Sequence, residues 1–268
     1  MPGLTTRNLH MFLEPWEMDT TVETLYRDYC DYVHTIVRNN DVTTFKRNPR
    51  YTMMLEHVSP KLGEQYLDSI VRLHGLSRED ILSFCRKNDS IGSPVLHSIG
   101  GMQVSPSSLR YVRHALLALN HCIRIGNLSP SIVELGCGYG GLALAIDHYA
   151  PKFGINVASY TMIDLDAPIS LQKLYMSKQS CSFPLQFESA STYGSGVSGD
   201  DNFLISNYCF SEVAHDIQQK YLDTLFPKCA NGFILWNHVK VYDIGKQVQV
   251  EPEVPMTTES NTNFHVYF

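Results

Sequence analysis

Ser131-Ile-Val-Glu-Leu-Gly-Cys-Gly-Tyr-Gly-Gly-Leu-Ala-Leu-Ala-Ile146 is the stretch from which the rest of the chain is read. Ile132, Val133 and Leu135 make the short apolar run of a buried strand. Gly136, Gly138 and Gly140 then clear side chains from the turn, so that its backbone can approach a ligand closely. Leu142, Ala143, Leu144 and Ile146 resume as a helix, whose free N-terminal N–H groups face the same crevice. Strand, glycine turn and helix in this order predict a site for a nucleotide-type cofactor.

The 268 residues suffice for one large domain, or for a domain with a substantial extension. A composition 44% apolar and 18% charged is that of an ordinary globular chain, and no run is long enough for insertion into a membrane. The first residues show no basic segment followed by an apolar core, so no secretory signal is expected. Seven cysteines, odd in number and without CxxC spacing, read as reduced thiols of a cytoplasmic protein rather than a disulfide or zinc framework. A formal charge of −6 with no block of lysine and arginine disfavours nucleic acid as the main substrate. Oligomeric state stays open, a homodimer included.

Outward from the central stretch, residues 1–19 read as a surface arm. Val22, Leu25, Tyr26, Tyr29, Tyr32, Val33 and Ile36 recur at helical spacing and predict a helix from residue 20 to about 39. Residues 45–58 mix polar and aromatic groups around Pro49. Asn48, Arg50, Tyr51, Glu56 and His57 either line a pocket or belong to a loop entering a helix. Further helices are expected over 60–73, 77–87 and 106–123, with a turn cluster at 88–94, so that all of 20–125 reads as helical. Beyond the glycine turn, strands are expected at 157–163, 184–188, 202–206 and 233–238, followed by two more that close the sheet antiparallel. Asp164, just past the second apolar run, is placed to accept hydrogen bonds from both hydroxyls of a ribose. Asp166 fits a helix cap better. Ala190 and Ser191 follow the third strand, where an adenine edge would lie.

Gly136-x-Gly138-x-x-Gly141 also satisfies the dinucleotide fingerprint, which alone is weak. An acid at Glu134 would be unfavourable beside a pyrophosphate and complementary to a cationic amino acid nucleoside. Glu134-x-Gly136-x-Gly138-x-Gly140 resembles motif I of the class I S-adenosylmethionine (SAM) methyltransferases. More narrowly, a set of landmarks looks like the sugar O-methyltransferase family. These are Asn48-Pro49 with Tyr51 and Glu56-His57, Asn88-Asp89-x-x-Gly92-x-Pro94, Leu109-Arg110-Tyr111, Ile163-Asp-Leu165, Ile205-Ser-Asn-Tyr208 and Ser211-Glu212. The likeness covers roughly residues 45–240.

The resemblance implies an α/β fold, a Rossmann-like methyltransferase sheet with helices on both faces. Residues 1–126 would form an N-terminal helical extension capping the substrate, and 127–268 the SAM-binding domain. It implies SAM as cofactor, S-adenosylhomocysteine (SAH) as product, and a sugar, nucleotide-sugar or glycan hydroxyl as acceptor. Glu134, Gly136, Gly138, Tyr139, Gly140, Asp164, Leu165, Ala190, Ser191 and Asn207 would hold the cofactor; Asn48, Tyr51, His57, Asn88, Arg110 and Tyr208 would hold the acceptor. A hydroxyl needs a general base, for which His215, Glu212 and His238 are the candidates, ahead of Asp216. No metal is expected, since no HxxxH pair or convergent acidic triplet occurs. The rival readings are methylation of a non-sugar small molecule or a protein, a catalytically silent binding subunit, and a nicotinamide-dependent oxidoreductase.

Overall fold

The computed structural model describes residues 15–237, 239–257 and 262–268. Residues 15–19, expected as part of an arm, instead begin the first helix, α1 (Pro15–Asn39). Proline is tolerated in the first helical turn, where its missing N–H has no intrahelical partner to lose. A short turn, α2 (Pro49–Thr52), precedes α3 (Pro60–His74), α4 (Arg78–Asp89) and α5 (Pro106–Arg124). Ser59, Ser77 and Ser105 cap the last three through their hydroxyls. The helical reading of 20–125 misses one feature, the hairpin β1 (His97–Ile99) and β2 (Met102–Val104). Gly100 and Gly101, at φ +53° and +79°, make its turn, and its three-residue strands are too short to show alternation.

The remaining strands are β3 (Ser131–Leu135), β4 (Ser159–Asp164), β5 (Leu185–Ser189), β6 (Asn202–Asn207), β7 (Cys229–Trp236), β8 (Gln249–Pro252) and β9 (Phe264–Tyr267). They form one sheet in the order β5-β4-β3-β6-β7-β9-β8. From β5 to β7 every pair is parallel, and β9 lies antiparallel to both β7 and β8. Between the strands run α6 (Gly141–Tyr149), α7 (Asp166–Met176) and α8 (His215–Thr224). The chain builds outward from β3 to β5, then returns to the other side of β3 with β6. The crevice above the carboxyl ends of β3 and β6 is therefore the switch point at which open α/β sheets bind ligands.

Alternation along β3 sorts two cores. Ile132 joins an apolar cluster that includes Tyr29, Phe84 and Leu116 from the N-terminal helices; Val133 and Leu135 join one containing Leu204, Trp236 and Val266. The first cluster crosses residue 126 without interruption, so the helical extension shares its interior with the sheet.

Candidate functional site

The turn after β3 is tied down from β4 and α7. Gly136 N–H donates to Ile163 O at 2.9 Å, and Cys137 N–H to Asp164 Oδ2 at 2.8 Å. Gln172, fully buried on α7, donates from Nε2 to Gly138 O at 3.0 Å and to Asp164 Oδ2 at 2.9 Å. Gly136, Gly138 and Gly140 hold φ of +78°, +57° and +97°, which glycine alone adopts freely. Their free space, expected to admit a ligand, is mostly used by the protein itself. A Cβ on Gly136 would collide with Cys209, and one on Gly140 would meet Met176 Sδ at 3.0 Å. Only a Cβ on Gly138 would find ordinary contacts, Leu55 Cδ1 at 3.6 Å and Tyr111 Oη at 3.7 Å. Leu55 and Tyr111 thus lie within van der Waals reach of Gly138, whose surroundings are the loosest of the three.

Asp164 ends β4 with both oxygens engaged, Oδ1 accepting from Leu165 N–H at 2.9 Å. A carboxylate offers about four acceptor positions, so capacity remains for a further donor. Burial pushes its pKa up to about 6, against the pull of its hydrogen bonds to Leu165, Cys137 and Gln172. Leu165 beside it is 45% exposed.

Glu134 does not open onto the crevice as the sequence suggests. It is 2% exposed, on the face of β3 turned to the helical core, and Tyr160 Oη donates to its Oε2 at 2.8 Å. Burial pushes its pKa from 4.5 up to about 8, only partly offset by the Tyr160 bond. The folded protein therefore holds a proton between pH 4.5 and 8 that the unfolded chain releases. Stability falls as pH rises through that interval. Glu134→Gln removes the ionisation and keeps an acceptor for Tyr160. It should melt like the wild type near pH 4.5 and above it at pH 8.5, by a few kcal/mol at ~1.4 kcal/mol per tenfold change in proton affinity. Parallel pH dependences for the two proteins would refute this.

At the end of β6, Asn207 Oδ1 is buried without a hydrogen-bond partner. Glu212 is exposed and accepts from Asn237 Nδ2, while Ser211 Oγ donates to Asn237 Oδ1 at 2.6 Å. His215 and Asp216 begin α8 and are also exposed; the His215 ring lies 6.1 Å from that of Tyr242. His238 lies outside the described residues. Ala190 and Ser191 form a 3-10 turn after β5, with Ala190 O accepting from Tyr221 Oη at 3.3 Å. Tyr26 sits at the rim, 40% exposed; burial pushes its hydroxyl up, with Glu212, Cys209 and Asp164 nearby adding to the effect. Neither Tyr26 nor Gln172 was singled out from sequence as a site residue. Gln172 was detectable as the one amide in an otherwise apolar stripe of α7, since a buried polar group needs partners. Tyr26 was absorbed into the apolar face of α1.

Several residues expected around the acceptor prove structural. Asn48 caps α2, accepting from Arg50 N–H at 3.0 Å. Tyr51 and Tyr139 are fully buried in an aromatic cluster with Phe45. Asn88 lies beneath them: its Nδ2 donates to Ser108 Oγ at 2.7 Å and Tyr139 Oη at 2.9 Å, and its Oδ1 accepts from Tyr175 Oη at 3.0 Å. Asn88 O also receives Lys46 Nζ at 2.7 Å, 4.1 Å from the Tyr139 ring centroid. Burial brings that lysine down to about 8, against the opposing charges of Glu56 and Asp89. Tyr139 thus contributes to the turn through its backbone, with its ring in the core. Arg110 donates from Nη2 to Leu55 O at 2.8 Å, fixing the segment above Gly138. His57 is exposed. Glu56 Oε1 and Tyr66 Oη are buried without partners. Among the described residues no cluster of three or more His, Cys, Asp or Glu is arranged to hold a metal, and no helix is long and apolar enough to cross a membrane.

No family model matches the sequence, and no curated protein matches it. Among solved structures the chain is similar to a protein described in "Conversion of a Disulfide Bond into a Thioacetal Group during Echinomycin Biosynthesis", at 20% identity over 44% of this chain and 48% of that one, TM-score 0.34. It is similar to a SAM-dependent methyltransferase from Aquifex aeolicus, at 17% identity over 56% of this chain and 87% of that one, TM-score 0.39. A third is the methyltransferase domain of bacterial CtHen1, at 10% identity over 58% of this chain and 98% of that one, TM-score 0.42. The chain spans about half the length of the first of these.

Proposed function

We propose that this chain binds SAM at the turn 136–140 and transfers its methyl group to a hydroxyl of a sugar, nucleotide-sugar or glycan. The observation that carries the reading is Asp164, a carboxylate pinned to the glycine turn at the sheet's switch point, with acceptor capacity left for a ribose. Two features fit the ligand. Asn207 Oδ1 is a buried acceptor in want of a donor, and Asp164 and Glu212 make the surroundings acidic. Acid beside the crevice suits a cation and repels the diphosphate of a nicotinamide dinucleotide.

When bound, SAM would supply an activated methyl group, its C–S bond breaking onto sulfur as the acceptor oxygen bonds the carbon. The protein's part is to hold the acceptor in line, exclude water and take the hydroxyl proton. Support for a sugar comes from Glu56 Oε1 and Tyr66 Oη, buried without hydrogen-bond partners and both within the electrostatic reach of Arg110, which suits the hydrogen bonding of hydroxyls.

Calorimetric titration with SAH and with NADH tests the cofactor; mass spectrometry of sugars and glycans incubated with isotopically labelled SAM tests the acceptor. The expected result is SAH binding without NADH binding, and labelled methyl on a sugar oxygen. Binding of NADH in place of SAH would refute the cofactor, and label on nitrogen or carbon would refute the acceptor.

A further inference from the structure

Tyr208 follows Asn207 at the carboxyl end of β6 and holds φ at +63°, in the left-handed region that a tyrosine occupies only under constraint. Two bonds impose it. Its N–H donates to Leu235 O at 3.0 Å, and its hydroxyl donates to Glu253 Oε1. Glu253, 2% exposed just past β8, is fixed from its other side: Oε2 accepts from Asn263 Nδ2 at 2.9 Å, Thr257 Oγ1 at 2.7 Å and Thr257 N–H at 3.1 Å. Three donors on Oε2 of one buried carboxyl are more than packing a strand end requires, and they leave Oε1 to the tyrosine.

A hydroxyl that gives its single proton to Glu253 keeps its lone pairs for a donor on the opposite side. Two helices bring further groups near it. Tyr66 from α3 and Arg110 from α5 act on Tyr208 electrostatically, and the His114 ring of α5 lies 5.8 Å from its own. Tyr66 Oη approaches without forming a hydrogen bond of normal geometry, and it and the neighbouring Asn207 Oδ1 are buried without partners. The acceptor hydroxyl would be such a donor for Tyr208. Glu212 and His215, two of the bases expected from sequence, are exposed to water.

We propose that Tyr208 Oη accepts the proton of the acceptor hydroxyl as its own proton passes to Glu253 Oε1, with Glu253 also positioning the ring; this rests on the methyl-transfer reading above. One O–H bond breaks and one forms at each step of the relay. The negative charge of the carboxylate ends on the acceptor oxygen, which can then bond carbon. Glu253 returns the proton to solvent before the next turnover.

Wild type, Tyr208→Phe and Glu253→Gln are compared in three measurements. SAH affinity, by calorimetry, should be unchanged in both variants, since neither group is assigned to the cofactor. Transfer of labelled methyl from SAM to a panel of monosaccharides and methyl glycosides should fall about 100-fold in Tyr208→Phe and at least about tenfold in Glu253→Gln, in the range of general-base contributions. The loss should fall on kcat and not on KM for the sugar. In cofactor-free protein carrying 13C-labelled tyrosine, the ring resonance missing from Tyr208→Phe should move in Glu253→Gln, where the hydroxyl meets a carboxamide in place of the carboxylate. An active wild type beside an equally active Tyr208→Phe overturns the relay alone, as does a Tyr208 resonance indifferent to Glu253→Gln. A wild type that binds SAH yet methylates no sugar overturns the acceptor reading and the relay with it.

Discussion

Asp164→Ala is expected to weaken SAM and SAH binding by about 1,000-fold, the loss of two hydrogen bonds to a charged acceptor at roughly 1.5–3 kcal/mol each. The same change frees Cys137 N–H and Gln172 Nε2, so the turn itself loosens. Asp164→Asn separates the two effects. It keeps an acceptor for Cys137 and Gln172, loses the one for Leu165 N–H, and should melt between the wild type and Asp164→Ala, while a ribose would meet one weaker acceptor. In the wild type, affinity should also decline as pH falls below about 6, where the buried carboxyl takes up its proton. Calorimetry across pH 5–8 on the three proteins reads all of this. Wild-type affinity in Asp164→Ala would remove Asp164 from the site.

Asn88→Ala should be the most destabilising of these substitutions. Its carboxamide joins α4 to α5, to the glycine turn through Tyr139 and to α7 through Tyr175. Truncation strips these hydroxyls of a buried partner and opens a cavity, costing roughly 3–5 kcal/mol. In a chain of this size that is on the order of 10 °C of melting temperature. The refolded fraction should bind SAH normally, because Asn88 touches the turn only from behind. A variant that melted like the wild type but failed to methylate sugar would return Asn88 to the acceptor site, where its sequence context had put it.

Much of the architecture is legible in sequence because its signals are local. The apolar run 132–135, the glycines after it and Asp164 at the end of the next strand identify the switch point without any knowledge of pairing. The serine caps at 59, 77 and 105 mark helix starts equally well. What sequence conceals is direction. Asn48, Tyr51, Asn88 and Tyr139 are the polar and aromatic types that line pockets, and only packing reveals that they point into the core. Glu134 is an acid in the expected place whose side chain faces the opposite way from the one its charge suggests. Glu253 could not be found at all, since the strand order that brings the stretch after β8 to the end of β6 is set by pairings between distant segments.

That strand order has a temporal consequence. A chain emerging from the ribosome as far as β8 has nothing to pair it with, because β9 must slot between β8 and β7. Until β9 docks, Asn263 is not in place to clamp Glu253, and the Tyr208 hydroxyl has no fixed partner. The carboxyl end of β6 is therefore finished last, from the sheet's outer margin inward.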